Sequence, residues 1–473
     1  MFPIQVIFNN LIYIIILLLT AGCTGSCCRL SLPVPSGIHP IERTIMLNET
    51  VNYLGEAYGI SRQTIDLIEQ AQEQIRPVFQ SYDEIAEYNQ VKVLKAFHNN
   101  RITDSHFNWA NGYGHDDFGR EALGKVYADA LGAESCIVGP FIQDGTHALA
   151  CTYLGLLRPG DQFIYCTGKP YDTMETVIGL KGNAPGTLKE FGIEYGQVDL
   201  LPNDCIDIEG VKKAIGPKTK MVVLQRSLGY SYRHAFSIAE IEEWAAACKS
   251  VKPDVICMVD NCYGEFLDIK EPVCVGADIM AGSLMKNPGG GITMGGGYVA
   301  GKKELSDIVA TRVVCPGLGT DSGLMYDQTR RIFQGIFCAP RTVNGAIKGA
   351  ALFAKVFENL GCEVTPKAEA PRNDVVTAIK MNSAEQLIAF CEAVQLSAPI
   401  NAHFRPEPGE MSGYVDKIIL ASGSFVQGST MEVSADAPLR EPYIVYYQGG
   451  LSYEHAKFCC MNVVQRLKNE CLL

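Results

Sequence analysis

Lys286 stands between the apolar run Ala281-Gly282-Ser283-Leu284-Met285 and a glycine-rich loop, one helix and a short strand after Asp260. An amine confined in such a place, where its pKa falls, is a nucleophile suited to holding an aldehyde as a Schiff base. Asp260 ends the run Val255-Ile256-Cys257-Met258-Val259. A carboxylate at the carboxyl end of a central strand sits where ligands of open α/β sheets bind, and its burial demands a cation. A protonated pyridine nitrogen is such a cation, and the pairing keeps the ring an electron sink. Asp144-Gly145-Thr146-His147 lies between a strand and a helix predicted from about residue 148, so amides and the Thr146 hydroxyl form an anion site fit for a phosphate. Tyr171, in the turn after the following strand, offers a ring to stack on a flat heteroaromatic group. Taken singly, each has a plainer reading: a cap, a core tyrosine, a turn aspartate, a solvated lysine. In this order, they outline a site for pyridoxal phosphate.

Such residues need a frame to bring them together. Residues 61 to 99 follow a helical period, with Ser61 as a cap, Ile65, Ile68 and Ile75 on one face and Pro77 as a break. They predict an N-terminal helical arm over 36–110. Beyond Tyr113, short apolar runs at 136–138, 162–166, 221–225 and 255–260 alternate with helical stretches such as 237–248. This alternation builds a mostly parallel sheet covered by helices, a large cofactor-binding domain over 111–340. A long helix over 346–360, then helices over 384–394 and 453–467 among strands, predict a smaller C-terminal α+β domain over 341–473.

The 473 residues, 47% hydrophobic and 19% charged, suffice for a large core with attachments. A net charge of -12 and no basic run argue against nucleic acid as a partner. Eighteen cysteines are scattered, mostly within apolar runs such as those of Cys136, Cys151, Cys166 and Cys257, and read as small hydrophobes of a reducing, cytoplasmic compartment. No Cys-x-x-Cys or His-Glu-x-x-His supports a metal. The glycine-rich stretch 289–301 runs into Lys302-Lys303 where a phosphate loop needs Ser or Thr. Residues 1–35 form an apolar extension. Its run 11–19 before Ala21-Gly22-Cys23 has the form of a signal core, but lacks a preceding basic residue and the length of a span. A targeting or anchoring segment and an extension without structural role both stay open, and membrane contact is expected only through residues 1–30.

Several motifs carry a family resemblance: the run Asn111-Gly112-Tyr113-Gly114-His115-Asp116-Asp117-Phe118-Gly119-Arg120-Glu121, then Gly145-Thr146-His147-Ala148, Gln225-Arg226-Ser227, Val259-Asp260-Asn261, the Lys286 loop and Arg440-Glu441-Pro442-Tyr443. From about residue 50 to the C-terminus the chain resembles the methionine gamma-lyase-like family, also called aluminium-resistance proteins, relatives of cystathionine gamma-synthase and beta-lyase. The resemblance implies the class I aminotransferase fold of pyridoxal-phosphate enzymes, α/β with a mostly parallel seven-stranded sheet. It implies that Lys286 holds the cofactor, Asp260 pairs its ring nitrogen, Tyr171 stacks on it, and Gly145, Thr146 and Ser283 hold its phosphate. Ser283 stands three before the lysine as the serine of the cystathionine enzymes does; their threonine just before the lysine is Met285 here, which removes one phosphate contact. Tyr113 and Arg120 correspond loosely to a tyrosine and an arginine that reach into a neighbouring subunit's site. Arg440 is the candidate for a substrate α-carboxylate, by two parallel hydrogen bonds, and Arg226 a second candidate for an anionic group.

The resemblance thus implies γ-elimination from a sulfur amino acid in a homodimer or homotetramer with shared sites. Lys286, released by the incoming amino acid, would take the Cα proton, and Tyr113 would protonate the leaving thiolate. β-Elimination, an aldolase-type cleavage and a non-catalytic cofactor-binding accessory protein are the alternatives, because one fold hosts many reactions.

Overall fold

The Ser61 hydroxyl accepts the Thr64 amide at 3.3 Å, opening the helix Arg62–Gln74, which buries Ile65 and Ile68. In the computed structural model, which describes residues 41–411 and 416–473, that helix stops at Ile75. Pro77 lies in the first turn of the next helix, Arg76–Asn99, where a missing N–H is harmless. The helix Ile41–Tyr58 precedes them in the chain. The apolar run 11–19 and the whole extension 1–35 lie outside the described residues. Among the described residues no helix is long and apolar enough to cross a membrane.

The large sheet has seven strands: β1 (Ser135–Gly139), β2 (Gln162–Tyr165), β3 (Glu194–Gln197), β4 (Thr219–Gln225), β5 (Ile256–Asp260), β6 (Ile279–Ser283) and β7 (Gly297–Gly301). Their order is β1-β7-β6-β5-β4-β2-β3, with parallel pairing from β3 through β6 and β7 antiparallel to both its neighbours. Successive residues of β5 are buried on both faces, the pattern of a central parallel strand covered by helices. Phe163, Val223, Met258, Ile279 and Val299 fill one such layer.

Two stretches differ from their sequence reading. Between Asp260 and Lys286 the expected helix is only the short 3-10 turn Pro272–Val275, while the expected short strand is β6. The glycine-rich stretch ends in another, β7, and its glycines serve packing: a Cβ at Gly297 would meet Ile142 Cγ2 at 2.6 Å and the Asp144 carbonyl at 3.0 Å.

The helix predicted from 346 begins at Thr329 and runs to Asn359, with Pro340 inside it. A proline there costs about 3 kcal/mol. Burial of Ile332, Phe333, Ile336, Val343 and Ile347 along the same face offsets it. Beyond it, β8 (Val364–Thr365), β9 (Val376–Lys380), β10 (Ile418–Ser422), β11 (Ser434–Pro438) and β12 (Ile444–Gln448) form an antiparallel sheet in the order β10-β11-β12-β9-β8. The helices Ala384–Leu396 and Tyr453–Asn469 accompany it. The fold is therefore mixed α/β, a mostly parallel sheet with a smaller antiparallel one.

Candidate active site

Gln225, Asp260 and Ala281 are in register across β4, β5 and β6, so these strands end together and their loops share one edge. A pocket opens there. The large sheet's loops bring Tyr171, Gln225, Ser227, Tyr230, Tyr263 and Lys286 to it, and the small sheet brings Val376, Asp436, Tyr446 and Gln448. A larger cavity of about 500 Å³, lined by Lys125, Phe141, Lys303 and Asp321 among others, lies apart from these residues. It gathers no nucleophile or acid of the predicted set.

Lys286 begins the short turn Asn287–Gly289 after β6, and its Nζ lies 4.1 Å from the centre of the Tyr263 ring. Burial works against its charge, but Cys262, Tyr263, Asp260 and Glu265 outweigh burial and hold the amine above the ordinary lysine range. This reverses the expected fall. Apolar confinement alone lowers a lysine; here Cys262, Tyr263, Asp260 and Glu265 lie close enough to favour its charged form. Asp260 is itself raised by burial, an effect that Lys286 and the Cys262 amide, which donates to Oδ1 at 3.1 Å, partly offset. A carboxylate at this strand end has a use for a second cation, and a pyridinium fits that need.

The helix predicted from 148 starts earlier, at Gly145. Asp144 caps it, its Oδ1 accepting the His147 amide at 2.8 Å and its carbonyl accepting Ala148. The amides of Gly145 and Thr146 have no acceptor within the helix. Around them the space is tight: a Cβ on Gly145 would lie 3.3 Å from Cys262 Sγ and 3.3 Å from Ser283 Cβ. Gly145, Ser283 and the Asp260–Cys262 turn therefore converge, and absence of a side chain leaves the helix start open to an anion. Thr146 Oγ1 is 3.1 Å from Thr173 Oγ1, which adds a hydroxyl that the sequence reading had missed. Ser283 Oγ accepts the Met285 amide at 3.1 Å. The donor set, the missing Cβ and the buried carboxylate suit pyridoxal phosphate.

Tyr171 precedes the helix Asp172–Ile178, and its amide donates to Gln225 Oε1 at 3.0 Å. Its ring packs on Tyr230, which in turn packs on Tyr446. Tyr230, Tyr263 and Asp436 went unnoticed in the sequence. Tyr263 follows Asp260 closely enough for its place to be read; Asp436, in an unremarkable Ala-Asp-Ala, gave no local signal.

Of the predicted residues, Tyr171 and Lys286 line the pocket itself; Asp260, Gly145, Thr146 and Ser283 stand at the strand ends and helix start beside Cys262, and Tyr113, Arg120, Arg440 and Arg226 lie elsewhere. Tyr113 is 75% exposed and stacks on His115. Arg120 is buried, donating through Nη1 to the carbonyls of Gly114 and Gly323, so it clamps the loop that carries Tyr113. Arg440 is half-exposed and pairs with Asp416 at 2.7 Å. Arg226, expected to meet an anionic group, is fully buried: Nη1 donates to Asn261 Oδ1 and the Gly264 carbonyl, both at 2.9 Å, Nε to the Phe236 carbonyl, and Glu271 is 3.7 Å away. Its guanidinium braces the turn after β5, because the loop that carries it folds inward beneath that turn.

A family model described as methionine gamma-lyase matches residues 64–468. The chain belongs to the methionine gamma-lyase family. The protein is a pyridoxal-phosphate-dependent carbon–sulfur lyase. It is similar to the Bacillus subtilis protein YnbB, 44% identical over 400 residues that make up 84% of this chain and 95% of that one. A solved carbon-sulfur lyase involved in aluminum resistance from Clostridium novyi NT is 42% identical, with a TM-score of 0.85 over 89% of this chain and 99% of that one. Cystathionine gamma-lyase from Lactobacillus plantarum, 18% identical over 74% of this chain and 86% of that one, shares the fold at a TM-score of 0.52.

Proposed function

We propose that this methionine gamma-lyase family member cleaves a sulfur amino acid by γ-elimination, releasing a thiol, a 2-oxo acid and ammonia. The observation that carries the reading is Lys286: an enclosed amine, beside the Asp260 strand end and the Gly145–Thr146 helix start, in a chain of this family. Bound pyridoxal phosphate would supply an electron sink for a carbanion at Cα. Lys286 would hold it and its amine would move the Cα proton and then a proton at Cβ. Asp260 would pair with the ring nitrogen, Tyr171 would stack on the ring, and Gly145, Thr146 and Ser283 would hold the phosphate. Arg440 takes the substrate α-carboxylate, exchanging its surface partner Asp416 for it. Tyr113, exposed on its own chain, serves a neighbouring subunit in a homo-oligomer as the acid for the leaving thiolate.

The test is the visible spectrum of the purified protein before and after borohydride, for wild type and Lys286→Ala, followed by thiol release from L-methionine and from a β-substituted cysteine derivative. A yellow band that borohydride bleaches in wild type and that the variant lacks, with thiol released from methionine, is the expected result. Release only from the β-substituted substrate would replace γ-elimination with β-elimination. A protein that stays colourless with added pyridoxal phosphate would sink the assignment.

A further inference from the structure

The small sheet turns one face to the pocket, and strand register decides which residues share it. Asp436 stands opposite Tyr446; Gln448, two residues on, stands opposite Val376; all four line the pocket. Asp436 is the acid of that lining and Lys286 its cation. Tyr230 Oη and Gln448 Nε2 reach the same Asp436 oxygen, Oδ2, at 3.2 and 3.3 Å. Two long neutral hydrogen bonds orient a carboxylate without matching its charge. Burial raises the group to about 6, with Tyr230, Gln448 and Lys286 drawing it the other way. An enclosed anion is costly without a cation. In the reading above, on which this inference rests, the Lys286 amine is committed to the cofactor, and among the described lining residues the Asp436 carboxyl then has no charged partner.

We infer that Asp436 binds an ammonium group of the substrate, which makes it a substrate-binding and specificity-determining residue supplied by the small sheet. Two amines enter with such a substrate, the α-amine of any amino acid and one at the end of a longer side chain; in that reading the α-amine replaces Lys286 on the cofactor, so the ammonium is the terminal one.

Three probes of equal length that cannot be eliminated separate them. L-Norleucine has only the α-ammonium, L-lysine adds a terminal one, and 2-hydroxyhexanoate has neither. Their affinities for the holoenzyme are measured by calorimetry in wild type, Asp436→Asn and Asp436→Glu. Asparagine keeps an oxygen for Tyr230 while removing the charge. The expected result is a loss of about tenfold or more for L-lysine in Asp436→Asn, not shared by L-norleucine or 2-hydroxyhexanoate and partly restored in Asp436→Glu. An equal loss for L-norleucine and L-lysine overturns the assignment to a terminal ammonium. Equal weakening of all three probes, or no weakening of any, overturns the inference. An Asp436-dependent preference for ammonium in a protein that cleaves no sulfur amino acid would sink the lyase reading and keep this one. Methionine cleavage with probe affinities indifferent to Asp436→Asn would do the reverse.

Discussion

Glu265 sits behind Lys286 with no exposed surface, one oxygen accepting Tyr298 Oη at 2.7 Å and the other without a hydrogen bond. Burial lifts it from an ordinary 4.5 to about 8. Between those values the folded chain holds a proton that the unfolded chain has released, so stability falls as pH rises through that window. Asp436, raised from 3.8 to about 6, adds to the fall in its lower part. Lys286 is charged in both states there and contributes only above its ordinary 10.5. Unfolding midpoints of the cofactor-free protein from pH 4.5 to 8 should therefore decline, and Glu265→Gln should flatten most of that decline. A slope unchanged by the substitution would show that Glu265 titrates normally. Arg226 yields a second expectation. Removing it as Arg226→Ala leaves Glu271 buried without its cation, a loss of about 3–5 kcal/mol in denaturant unfolding. If Arg226 contacted substrate instead, the variant would melt like wild type and lose only affinity.

At the scale of elements, the site depends on how one helix begins. Asp144 occupies the His147 and Ala148 amides and leaves those of Gly145 and Thr146 ahead of it. Asp144→Ala should cost about 1 kcal/mol of stability through the lost cap. It should also weaken pyridoxal phosphate in a fluorescence titration, because a frayed first turn no longer aims its amides. Gly145→Ala tests the cradle from the other side. The added methyl meets Cys262 and Ser283, so cofactor affinity should fall by roughly tenfold or more with a small change in melting temperature. An unchanged affinity would place the phosphate elsewhere. The helix Thr329–Asn359 shows where local rules yield: Pro340 forbids nothing once both flanks are held by a buried apolar face.

For the whole molecule, the open question is the exposed Tyr113 and its loop, clamped by Arg120 against Gly323. If Tyr113 serves a neighbouring subunit, Lys286→Ala and Tyr113→Phe chains, each inactive alone, complement on mixing. Random pairing in a twofold dimer would restore about a quarter of the sites. No recovery in a mixture shown to exchange subunits would put Tyr113 outside the chemistry.

The sequence by itself determined what is local. Apolar runs specified four strands of the large sheet, Ser61 and Pro77 marked helix ends, and the run before Asp260 placed that carboxylate at a strand end, where a parallel sheet collects its ligand-binding loops. Tertiary structure alone decided which long-range partners meet. Asp436 reaches the pocket only because β11 pairs with β12 in one register; a shift of one residue would turn it to the opposite face. Arg226 and Arg440 are alike in composition, yet one is sealed beneath a turn and the other stands half in solvent. The Lys286 amine likewise is held above the ordinary lysine range by Cys262, Tyr263, Asp260 and Glu265, neighbours brought together by packing, and that environment is a property of the assembled fold.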